Sequence, residues 1–307
     1  MRVAALDLGS NTFLCLIADL DSQGQLKIVE DLAEVVRLGE GVGQTGVLSP
    51  AALQRAKSCL ERFSGRIQSH QPQKILAVAT AASRKAKNGQ ELLDLCASVG
   101  IPVQIISGDA EAMLTFQGAL SGTHSSSDSW VVDIGGGSTE LIWGSTYGIQ
   151  FKKSFEIGVV KLREKFIHHF PISQEELEQM RDEIKETLSF QLPPLKLTPA
   201  PVVAVAGTPT TLAAAALGGF DADRVDGFRF TLRDLKNWEN KLSQMTPESI
   251  ESVYGVQKGR SDVLACGVMI LIAALELVRK EELVVSVRGL RYGLAQRLAA
   301  GDETHVI

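Results

Sequence analysis

The chain has 307 residues, of which 45% are apolar and 22% charged, and a net charge of −5. Such a length suits two domains of about 100–200 residues each, and the composition is that of an ordinary globular protein. The acidic balance argues against general nucleic-acid binding, so a polyanionic ligand would need a local basic site.

Cys15, Cys59, Cys96 and Cys266 are scattered, with no CxxC pair. They read as free buried thiols of a reducing cytoplasm. The N-terminus shows a strand pattern and one Arg in place of a signal-peptide apolar region. The longest apolar run, residues 263–275, falls short of the roughly 20 residues a membrane span needs. A helix buried between sheets is expected there.

In chain order, Val3–Leu6 and Phe13–Ala18 form a hairpin around Asp7-Leu8-Gly9-Ser10-Asn11-Thr12. Residues 26–29 and 34–38 read as two further strands, followed by a Gly-rich turn over 39–43. Ser49 caps a helix with Pro50 at its first position, and Leu53, Ala56, Leu60, Phe63 and Ile67 make its apolar face. A strand over 74–80 leads to Arg84, a helix spans 90–98, and a strand over 103–106 feeds a helix that runs to Leu120. The small polar stretch 121–129 reads as a linker or surface loop.

The pattern then restarts. Trp130-Val131-Val132 runs into Asp133-Ile134-Gly135-Gly136-Gly137-Ser138-Thr139 and a second apolar run from Glu140. A helix is expected over 158–166. Ser173 and Glu176 form a capping box for the next helix, and Pro193-Pro194 ends it. A strand over 202–205 enters a loop containing Gly207-Thr208-Pro209-Thr210-Thr211 and an Ala-rich helix. An amphipathic helix over 232–245, the apolar helix from Asp262, a strand over 283–287 and a last helix complete the chain. Each half opens antiparallel and then alternates strand and helix, the mark of an α/β fold with mixed sheets.

The two turns are variations on one unit: strand, acidic residue, Gly-rich hydroxyl turn, strand. Glycine lets the backbone approach a ligand, successive amides make an anion-binding concavity, and an adjacent Asp suits a hard cation. Two copies suggest two similar halves facing one ligand across a cleft. Neither turn is a Walker loop, because no Gly-Lys-Ser/Thr follows. The loop at Gly207 and Thr208 can offer hydroxyls and helix N-terminal amides to an anion. Glu111, in the first turn of a helix, is a candidate base. Arg84 is suited to phosphate oxygens by its planar fork. Lys258, Arg260, Arg288 and Arg291 read as solvated, and His168-His169 lacks a third spaced metal ligand.

Taken together these motifs resemble the exopolyphosphatase/guanosine pentaphosphate phosphohydrolase (Ppx/GppA) family. The residues are Asp7–Thr12, Ala79–Arg84, Ile106–Gly108 with Glu111, Asp133–Leu141, Ala206–Leu212, Arg260–Asp262 and Gly289–Gly293, in the family's order over essentially the whole chain. The resemblance implies two α/β domains of the actin-like (RNase H-like, ASKHA) type with a cleft between them, placed here at 1–124 and 125–307, with the last helix free to pack back on the first domain. It implies a cytoplasmic phosphohydrolase that releases terminal phosphate from inorganic polyphosphate or the 5′ γ-phosphate from pppGpp.

By the same resemblance Glu111 activates water, Asp133 and Glu140 are associated with Mg²⁺, and Arg84 contacts phosphate. Ser10, Asn11, Thr12, Gly135, Gly136, Gly137, Ser138, Gly207 and Thr208 fall at the substrate-binding positions. No nucleic acid or membrane partner is expected, and a homodimer is allowed. Ala110, Met113 and Val287 stand where acidic or basic residues are common in the family. Longer members carry a helical C-terminal extension, so a shorter groove is expected here. Two other readings are a small-molecule kinase of the same superfamily and a non-catalytic polyphosphate or alarmone sensor.

Overall fold

The computed structural model describes residues 1–21, 26–121, 128–145, 147–188 and 200–301. Most of the expected linker at 121–129, and Pro193-Pro194, lie outside the described residues. The chain divides into two compact units, Met1–Gly122 with Arg288–Ile307, and Thr123–Val287.

The first unit opens with β1 (Arg2–Leu8), β2 (Thr12–Leu20) and β3 (Leu26–Val35). The two strands expected over 26–38 are one, because β3 pairs with β2 along its length and absorbs the irregularity at a bulge near Ile17/Ala18. The Gly-rich turn contains a short helix, α1 (Val42–Thr45), and α2 (Pro50–His70) follows. Ser49 caps α2 by accepting from the Ala52 N–H at 3.2 Å. Ala56, Leu60, Phe63 and Ile67 of α2 are buried as their spacing predicts. Then come β4 (Lys74–Ala79), α3 (Ala81–Lys85), α4 (Gln90–Ser98), β5 (Val103–Ile105) and α5 (Gly108–Leu120).

The sheet order is β3-β2-β1-β4-β5, with β1, β4 and β5 parallel. Both faces of β1 are covered, which explains its unbroken apolar run. Ala4, Leu6 and Leu8 join the cluster under α2 and α4. Val3 and Ala5 join a second cluster with Ala110 and Leu114 of α5 and with Leu290, Tyr292 and Leu294.

The second unit repeats the plan with β6 (Ser129–Ile134), β7 (Thr139–Ser145) and β8 (Gly148–Phe155), then α6 (Val159–Phe166) and α7 (Gln174–Leu188). The capping box at the start of α7 is present: Ser173 N–H donates to Glu176 at 2.9 Å and Glu176 N–H to Ser173 Oγ at 3.2 Å. The unit continues with β9 (Val202–Val205), α8 (Gly207–Leu217), α9 (Ala222–Val225), β10 (Arg229–Thr231), α10 (Leu232–Ser243), α11 (Pro247–Tyr254), α12 (Leu264–Leu277) and β11 (Glu282–Val285). Its sheet order, β8-β7-β6-β9-β11-β10, is that of the first sheet with one antiparallel strand added.

The apolar run is α12. It packs among α6, α7, α8, α10 and β6 of its own unit, on one face of one sheet, where the sequence reading had it between sheets. Among the described residues no helix is long and apolar enough to cross a membrane. The last helix, α13 (Leu290–Ala300), packs on α5, β1 and β2 of the first unit. A Cβ on Gly293 would collide with the Leu114 carbonyl and one on Gly118 with that of Gly289, so glycine permits the close crossing of α5 and α13.

Candidate active site

Parallel strands end on one edge of a sheet, and in open α/β sheets ligands bind beyond those carboxyl ends. In the first unit Leu8 pairs with Ala79, and Ala79 with Ile105. Three segments therefore leave one edge side by side: the turn after β1, the α3 segment after β4, and the start of α5 after β5.

The turn holds Ser10, Asn11 and Thr12, closed by the Gly9 N–H donating to Thr12 O at 3.2 Å. Ser10 is buried, and Asn11 and Thr12 are half-buried. The α3 segment carries Arg84, and α5 carries Glu111, buried to 8% exposure. Ser107 caps α5 by accepting from the Ala110 N–H at 3.2 Å, which fixes Glu111 in the first turn. Arg84 Nη1 donates to Ile106 O at 2.8 Å and to Glu111 Oε2 at 3.2 Å. The phosphate-contacting Arg and the base of the sequence reading are thus ion-paired.

In the second unit the Gly135 N–H donates to Ser138 O at 2.9 Å. This is the closure seen at Gly9 and Thr12, and the flanking pairs correspond too: Leu8 with Phe13, Ile134 with Thr139. The two turns are one structure built twice. They differ one pair further out. Asp7 faces Leu14, whereas Asp133 faces Glu140, which in turn faces Ser154 on β8. Directly opposed residues share a sheet face with Cβ atoms about 4.5–5.5 Å apart, so only the second unit has a carboxylate pair here. Ser154 Oγ donates to Glu140 Oε1 at 2.6 Å.

Among the described residues no group of three or more His, Cys, Asp and Glu could hold a metal. That set does not fit zinc, which takes three or four protein ligands. Two carboxylates do fit magnesium, which keeps waters and takes the rest of its oxygens from phosphate.

Asp133 pairs with Val205, so the turn leaves the sheet beside the loop into α8. Two of that loop's threonine hydroxyls make hydrogen bonds within the unit, and the third threonine packs against a neighbouring helix. A Cβ on Gly267 would fall on the side chain of Thr208, which therefore packs against α12. Thr210 Oγ1 donates to Ala206 O at 2.8 Å, and Thr211 Oγ1 accepts from Arg260 Nη1 at 3.1 Å. Main-chain donors remain. No side chain caps α8, and Pro209 has no N–H, which leaves the Gly207 and Thr208 amides as its first-turn donors. The preceding Ala206 has φ 74° and ψ −164°, a region that only glycine adopts without strain.

Three arginines read as solvated are not: Arg288 donates to Ser121 O at 3.5 Å. Arg260 reaches Thr211, and Arg291 forms a two-pronged pair with Asp31, both bonds 2.8 Å. Tyr292 Oη donates to the same carboxylate at 3.1 Å. Ser154 was missed by the sequence reading, as was β8 as a strand, although the alternation of half-buried Ile149 and Phe151 with exposed Gly148, Gln150 and Lys152 was a usable signal.

A model of the Ppx/GppA phosphatase family matches residues 16–300. Exopolyphosphatase 2 of Mycobacterium tuberculosis is 31% identical over 97% of this chain and 98% of its own. A crystal structure of the Aquifex aeolicus member of the Ppx/GppA protein family is 29% identical, covers 99% of each chain and has a TM-score of 0.81. An exopolyphosphatase from Cytophaga hutchinsonii is 27% identical, covers 98% of each chain and has a TM-score of 0.88.

Proposed function

The chain belongs to the Ppx/GppA phosphatase family, with the actin-like α/β fold of that family, and we propose that it is a phosphoanhydride hydrolase releasing terminal phosphate from inorganic polyphosphate, and from the 5′ end of pppGpp where that substrate is present. The observation that carries the reading is the Arg84–Glu111 pair at the strand ends beside the Ser10–Thr12 turn. Glu111 gives this edge a positioned carboxylate that can accept a proton from an attacking water, and Arg84 a fork that suits phosphate oxygens.

In the reaction, water oxygen attacks the terminal phosphorus and Glu111 accepts a water proton. The bridging P–O bond breaks, leaving inorganic phosphate and a chain shorter by one unit. Amides of Gly135 to Ser138 and of Gly207 and Thr208 are assigned to the oxygens on which charge develops. Arg84, Ser10, Asn11 and Thr12 bind phosphate. Asp133 and Glu140 would hold magnesium, which when bound neutralises phosphate charge. Four buried free cysteines suit a reducing cytoplasm.

The test is a phosphate-release assay on long polyphosphate, short polyphosphate and pppGpp, with Glu111→Gln alongside. Loss of the base should lower turnover by roughly 10²–10⁴-fold while polyphosphate binding persists. Near-normal turnover of Glu111→Gln would remove the assignment. Ligand-induced thermal stabilisation without any phosphate release would favour a sensor. Calorimetric Mg²⁺ titration should show weaker binding in Glu140→Gln.

A further inference from the structure

In each unit the segment after the third strand grips the turn from behind. After β3, the Gly39 N–H donates to Ser10 O at 2.8 Å, and the Val36 and Arg37 N–H groups donate to Asn11 O at 2.9 and 2.8 Å. After β8, the Val160 N–H donates to Gly136 O at 3.0 Å and the Val159 N–H to Gly135 O at 3.1 Å. Thr139 Oγ1 adds a buried bond to Ile157 O at 2.8 Å. Ser10 and Gly136 are the same position of the repeated turn, the second of four.

A glycine lies against that position in both units. A Cβ on Gly158 would sit 2.5 Å from the Gly136 carbonyl carbon and oxygen and 2.6 Å from Gly137 N. A Cβ on Gly39 would sit 3.0 Å from Ser10 Cβ and 3.3 Å from Ser10 O. Gly158 is extended, with φ −154° and ψ 167°, so the backbone there does not demand glycine. Closeness does.

In a trans peptide the C=O and the next N–H point in opposite directions. A grip on the Ser10 carbonyl therefore turns the Asn11 N–H away from the gripping segment. A grip on the Gly135 and Gly136 carbonyls does the same for the Gly136 and Gly137 N–H groups. We infer that 36–39 and 157–160 are clamps that aim the turn amides at phosphate, with Gly39 and Gly158 as positioning residues. The role in turnover rests on the function proposed above; the aiming of the amides does not.

The experiment uses Gly158→Ala, Gly39→Ala and Thr139→Val in the full chain, with thermal melts to establish folding. Kinetics on polyphosphate are paired with titration of inorganic phosphate, followed by amide NMR of Gly136 and Gly137. Displacing a positioned group by about 1 Å costs on the order of 100-fold, so Gly158→Ala should lose about that in kcat/KM. Its Gly136 and Gly137 amides should no longer respond to phosphate while the rest of the spectrum stays native. Gly39→Ala needs a shift of only a few tenths of an ångström and should lose less. A folded Gly158→Ala with wild-type turnover and wild-type amide response overturns the inference. If Gly158→Ala does not fold, Thr139→Val decides: a reduced amide response supports the clamp, and an unchanged one overturns it. A wild-type chain that releases no phosphate removes the proposed function, and the amide response to phosphate then decides the clamp alone.

Discussion

Arg84 Nη1 donates at once to the Ile106 carbonyl and to Glu111 Oε2, at 2.8 and 3.2 Å. One nitrogen thus joins the end of β5 to the carboxylate that opens α5. The guanidinium has five donors in a fixed fork, so this contact leaves others for a phosphate. Lysine would keep the charge but is a point donor on a flexible stem. We predict that Arg84→Lys lowers kcat on polyphosphate by at least tenfold, a loss of about 1.4 kcal/mol of transition-state stabilisation, with an unchanged melting temperature. Wild-type kcat in Arg84→Lys would show that charge alone suffices.

Acid stability depends on Glu30 of β3. Its carboxyl is held below the ordinary 4.5 chiefly by the hydrogen bond from Arg66, against the opposing effect of burial and with help from His70. A carboxylate depressed in the folded state stabilises fully above its unfolded pKa, and that contribution is lost as pH falls through the folded value. The urea midpoint should therefore fall below about pH 4.5, and more shallowly in Glu30→Gln. The variant should be the less stable near neutrality, with the gap closing on acidification. Parallel curves for the two proteins would contradict this.

The cysteines should be unreactive until the chain unfolds. Burial pushes the Cys15, Cys96 and Cys266 thiols up to about 12, and Cys59 moves in the same direction for the same reason. At pH 8 a thiol of that kind is ionised to about one part in ten thousand, and the thiolate is the nucleophile. Ellman's reagent should give no fast phase with native protein and four equivalents in denaturant. One fast equivalent in the native state would mean that a thiol is accessible.

Ala206 stores strain at the entrance to α8. A non-glycine residue at φ 74°, ψ −164° costs on the order of 1–3 kcal/mol, whereas glycine there adds about 0.4–1 kcal/mol of unfolded-chain entropy to be lost on folding. Ala206→Gly should therefore be more stable by about 1 kcal/mol, read as a higher urea midpoint at unchanged slope. A lower midpoint would indicate that the methyl group packs more favourably than its backbone is strained.

The repeated turn, the α/β alternation, the caps of α2 and α7 and the apolar face of α2 were all legible in the sequence. Each is local: a turn of glycine and hydroxyl residues, a serine before a proline, an apolar residue every third or fourth position. The continuous β3 was not, because pairing with β2 along its length, bulge included, outweighs its mixed apolar and charged pattern. Arg84 and Glu111, 27 residues apart, meet because β4 and β5 are adjacent parallel strands. Arg291 and Asp31, 260 residues apart, meet because α13 returns to the first unit.

By itself, then, the sequence determined that one turn is built twice and what kind of ligand such a turn suits, since anion-binding amides and a strand-end carboxylate are properties of short stretches. Only the structure's strand register placed Glu140 opposite Asp133 and Leu14 opposite Asp7. The tertiary structure also packed Thr208 against α12, brought Arg260 to Thr211 and set Gly39 and Gly158 behind the turns. The direction in which an amide or a side chain points is set by what packs behind it, and that neighbour comes from elsewhere in the chain.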